Sequence, residues 1–163
     1  MNCFVYQKHI DLHAVSALEA IHGFMNLGHC KGLTRFVHWI IDADTELSSA
    51  DFLSLITAKS YYLLNPNKED FVIELLPSTD KDVNSVFIDV FSKQPFDNTT
   101  LLHKINQHCG VAIKTIQKRI TWQCDVDSSQ DPKEFVSSHL LPSDRQVGIL
   151  ANPIYESFCF LGN

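Results

Sequence analysis

The sequence predicts an α+β fold. It is a two-layer sandwich with a duplicated strand-helix-strand core on a ferredoxin-like plan, with extra helices. Three observations predict it. Segments of β-prone residues alternate along the chain with segments whose apolar residues recur at helical spacing. The motif Trp39-x-x-Asp42-x-Asp44 returns 83 residues later as Trp122-x-x-Asp125-x-Asp127. The 163 residues, 45% hydrophobic and 20% charged, suit a single domain spanning 1–163. A chain of this length can bury a core that needs no disulfide or metal staple.

The elements follow in order. Phe4, Val5 and Tyr6 are β-prone and open a strand near Cys3. Ser16 and Glu19 have capping-box spacing, and Ala17, Leu18, Ile21, Phe24 and Met25 then recur at helical intervals. Gly28 and Gly32 are the expected stop, because glycine accepts the left-handed backbone of a C-cap. Leu33 to Asp42 reads as a strand apolar on both faces, with Val37, Trp39 and Ile41 on one side and Phe36, His38 and Ile40 on the other. Ser48 or Ser49 caps a second helix carrying Phe52, Leu55 and Ile56, which Asn65-Pro66-Asn67 stops.

In the second half, Phe71 to Leu76 and Val86 to Ser92 read as two strands joined by a polar turn. Asp97 or Asn98 caps a helix that Gly110 closes. Val111 to Cys124 is a long strand with one wet face, or an edge. Asp131-Pro132 starts a fourth helix, since proline is tolerated at the first helical position. Two short strands, Gln146 to Leu150 and Ile154 to Phe160, end the chain.

The halves, roughly 1–66 and 67–163, echo each other. At the offset of 83, Phe4-Val5 meets Phe87-Ile88, Leu18 meets Leu101 and Val37 meets Ile120. His29-Cys30 and His108-Cys109 repeat at an offset of 79. Right-handed crossovers would gather the helices on one face of the sheet.

Composition excludes several classes. The net charge of −6 leaves no basic face for general nucleic-acid binding. Five widely spaced cysteines without a CxxC pair indicate a reducing compartment, and the polar start MNCFVYQKHIDLH is no signal peptide; both predict a cytoplasmic protein. No apolar run approaches the roughly 20 residues of a membrane span. Phosphate loops and the GxSxG elbow are missing from the sequence.

The candidate chemistry is sparse. His9, His13 and His38, with His22 and His29 nearby, could supply ligands to zinc, although no tight zinc motif organises them. Cys30 and Cys109 sit near helix C-termini, where the dipole disfavours a thiolate. The repeated acids Asp42/Asp44 and Asp125/Asp127 end two strands, where aspartate usually starts a turn. Lys114, Lys118 and Arg119 form a basic patch able to hold a phosphate or carboxylate, or to protect an edge strand.

One stretch carries a family resemblance. Lys68-Glu69-Asp70-Phe71-Val72-Ile73-Glu74-Leu75-Leu76-Pro77-Ser78, then Val86-Phe87-Ile88-Asp89-Val90-Phe91, a helix over Thr99 to His108 and a strand over Ala112 to Arg119 resemble the S-adenosylmethionine decarboxylase family. The resemblance covers about residues 68–120 and implies an α/β sandwich that dimerises through its sheet. It does not imply decarboxylation. The position of the family's self-cleaving serine is Glu69, that of its histidine is Glu74, and that of its proton-donating cysteine is Lys93. Without a pyruvoyl group there is no sink for a carbanion's charge.

These features predict a non-catalytic domain that binds a small molecule or a protein partner, as a homodimer, without a cofactor, nucleic acid or membrane. Trp39, Asp42, Trp122, Lys118 and Arg119 are the expected ligand-binding residues. One alternative is a metal-dependent enzyme using His9, His13 and His38 with Asp42, and another is the regulatory subunit of a larger enzyme.

Overall fold

The chain forms ten elements in a computed structural model that describes residues 1–94, 96–142 and 148–162. They are β1 (Asn2–Gln7), α1 (Leu12–Gly23), β2 (Cys30–Ala43), α2 (Ser49–Lys59), β3 (Glu69–Val72), β4 (Val83–Ser92), α3 (Thr99–Cys109), β5 (Ile113–Asp127), α4 (Pro132–His139) and β6 (Glu156–Leu161). The strands make a six-stranded antiparallel sheet in the order β3-β1-β2-β5-β4-β6. Among the described residues, no helix is long and apolar enough to cross a membrane.

Local chemistry sets the helix ends. Asp11, not Ser16, caps α1, and its carboxylate accepts the His13 N–H at 2.9 Å. An extended Asp11 backbone makes that bond possible, so the helix starts before the predicted capping box. The same helix stops at Phe24 rather than at Gly28. The left-handed turn that follows falls on Asn26 (φ 55°), a residue whose short side chain tolerates it. Ser48 caps α2 and Asp131 caps α4, each accepting the N–H three residues on. Gly110 closes α3 in the left-handed conformation, φ 68°. The Asn106 side chain then ties α3 to β5 through two bonds with the Ile113 backbone, of 2.8 and 2.9 Å.

Three expectations about pairing change. The strands on either side of Pro77 do not form a hairpin: β3 pairs with β1, while β4 pairs with β5 and β6. The long strand β5 lies inside the sheet, between β2 and β4, so its lysines do not protect an edge. Finally, β1 and β2 are adjacent and antiparallel, with Cys3 opposite Trp39. The helix between them therefore is not a crossover between parallel strands, and the handedness rule has no purchase there. The strand expected over 146–150 lies partly outside the described residues.

The chain divides into two compact units. The first holds β1, β3, α2, α3, β2 from Phe36 onward and β5 up to Arg119. Its core joins Cys3, Val5, Trp39 and Ile41 to Phe52, Leu53 and Ile56 of α2 and to Ile105 and Cys109 of α3. The second holds α1, α4, β4, β6, β2 up to Arg35 and β5 from Ile120 onward. There Val86, Ile88, Trp122, Cys124 and Val126 meet Ile21 of α1 and Phe135, Val136 and Leu140. Each fully buried Leu, Ile, Val or Phe adds about 1.5–3 kcal/mol. Val5 with Ile88, and Trp39 with Trp122, are pairs 83 residues apart that place one member in each core. His29-Cys30 and His108-Cys109 are not matched in the same way, because Cys30 opens β2 whereas Cys109 ends α3.

Candidate functional site

Alternation along a strand sends successive side chains to opposite faces. The residues between the core positions therefore point away from the helices, and this reverse face carries most of the unusual chemistry.

In the first unit the reverse face is aromatic. The His38 ring stacks on Phe4 with centroids 4.1 Å apart. Phe36 meets Phe4 and Tyr6 edge-on, each at 6.4 Å. His38 is only 2% exposed, and its Nε2 lies 3.2 Å from the Asn2 Oδ1.

In the second unit the reverse face is polar. Asp89 and Thr121 stand opposite each other in the β4–β5 ladder, both fully buried, and the Thr121 hydroxyl donates to the carboxylate. Four residues back along β4, the Ser85 hydroxyl donates to Asp125 Oδ1 at 2.5 Å, while Gln123 Nε2 donates to the same oxygen at 3.1 Å. The Ser78 N–H donates to the Ser85 Oγ at 2.7 Å. A Cβ at residue 32 would stand 3.2 Å from Asp125 Oδ2, so this crowded spot favours Gly32.

This network is built for holding rather than for reacting. Ser85 has a carboxylate beside it but no imidazole, and a carboxylate is a poor base for a serine proton at neutral pH. Every hydroxyl and amide named here is already bonded within the chain. The buried thiols are poor nucleophiles. Burial pushes Cys3 up to about 12. Cys30 rises to about 11, chiefly through burial and then through the charge of Asp125. Burial also raises Cys124. The marked depression is at Asp127, held at about 2 by hydrogen bonds from Ser129 and by Lys31, whose Nζ is 3.4 Å away.

The predicted ligand residues divide between the units. Trp39 is buried, its Nε1 donates to the Leu63 carbonyl at 3.0 Å, and Lys118 Nζ sits 5.4 Å above its ring. Trp122 is buried in the core of the other unit. Asp42 is exposed near the end of β2. Arg119 is half-buried, with Nη2 3.4 Å from Gln117 Oε1. Lys114 faces Asp44 at 3.9 Å, both well exposed. Of the histidines, His9 and His13 are exposed, in the loop after β1 and on α1, whereas His38 is buried in β2. Among the described residues, no three of His, Cys, Asp and Glu gather as a metal site.

Ser85, Asp89 and Gln123 were not singled out from the sequence. Their signal is the run of polar residues at alternate positions of β5, Thr121, Gln123 and Asp125, and Ser85 and Asp89 among the apolar residues of β4. Comparison with known proteins adds no relative: no family model, no curated protein and no solved structure matches the chain.

Proposed function

We propose that the chain is a non-catalytic α+β domain that binds a small molecule or a protein partner. In this reading it is a degenerate relative of the S-adenosylmethionine decarboxylase family with a duplicated strand-helix-strand core. The observation that carries the proposal is the closed bonding of the reverse face. Thr121 bonds Asp89, and Ser85 and Gln123 bond Asp125, so the acids there are committed to architecture. The raised thiols of Cys3, Cys30 and Cys124 point the same way, because thiolates are the reactive form.

The duplication has its own support. The sheet order reads β3-β1-β2 on one side and, outward from its middle, β5-β4-β6 on the other. The caps Ser48 and Asp131 are also 83 residues apart. Asp42, Lys118 and Arg119 are the members of the expected ligand set with exposed surface.

The test is mass spectrometry of one purified sample under native and denaturing conditions. An intact chain, with a native mass raised by a small molecule or by a second chain, is the expected result. Cleavage into two fragments, or turnover of any substrate abolished by one point substitution, would overturn the reading.

A further inference from the structure

We draw no further inference here: the strongest candidate, the exposed apolar patch of Ile154, Tyr155 and Phe158 along the β6 edge of the sheet, carries nothing because nothing in the structure shows what covers it.

Discussion

The Thr121 hydroxyl donates to the Asp89 carboxylate across the β4–β5 ladder, and neither side chain has any solvent exposure. A buried carboxylate deprived of a donor keeps its desolvation cost. Thr121→Val preserves shape and removes that donor. It should destabilise the fold by about 1–3 kcal/mol, whereas Thr121→Ser should lose less. Urea unfolding of the two variants checks the difference.

Trp39 offers a second test of whether a predicted ligand residue is structural. Trp39→Phe keeps the ring in the core but leaves the Leu63 carbonyl without its indole donor. A loss of about 1–3 kcal/mol in stability is expected. An unchanged midpoint in denaturant would show that the bond contributes nothing.

The acid limb of stability should depend on Asp127. Its folded pKa is depressed from 3.8 to about 2, mainly by Ser129 and further by Lys31. A depressed carboxylate stabilises the fold above its unfolded value of 3.8, and that contribution fades as the pH falls toward 2. Wild type and Asp127→Asn should therefore differ most above pH 4 and converge near pH 2, as thermal unfolding across that range would reveal.

Thiol chemistry gives a fourth measurement. Cys3, Cys30, Cys109 and Cys124 are buried, and Cys159 is partly exposed. At neutral pH, iodoacetamide should modify Cys159 first and the other four only on unfolding. Rapid labelling of Cys30 in the folded chain would contradict its elevated pKa, about 11.

The two aspartate and serine caps predict matched effects. Ser48→Ala and Asp131→Ala each remove one acceptor from a helix N-terminus. Each should cost about 1 kcal/mol. Thermal melts of both single variants test whether the positions separated by 83 residues carry equal weight.

Much of the fold was legible because it is written locally. Phe52, Leu53 and Ile56 announce α2 by spacing, Asp131-Pro132 announces α4, and Gly110 marks the end of α3 by its freedom at φ 68°. Strand partners are not written locally. Nothing in Phe71 or Val72 reveals that they pair with Val5 and Phe4 rather than with β4, because the polar turn after them suits a hairpin equally well. The reverse-face network was hidden for the same reason. Ser85 and Asp125 lie 40 residues apart, and only the β4–β5 register sets them opposite each other. Trp39 and Trp122 were legible as a repeat, but the burial that makes them core residues was not.

Two helices, α1 and α3, are exchanged between the halves of the chain. From the first half, α1 completes the core built by β4 and β5, and from the second half, α3 completes the core built by β1 and β2. During synthesis, then, the first half emerges from the ribosome with one helix lacking its strands and one core lacking one of its two helices. The core gains α3 only once residue 109 has been made, and α1 gains its strands only with β5. Such a chain folds late and through distant contacts, a regime in which exposed apolar surface recruits chaperones. Severed between the halves, its two fragments would each need the other in order to fold.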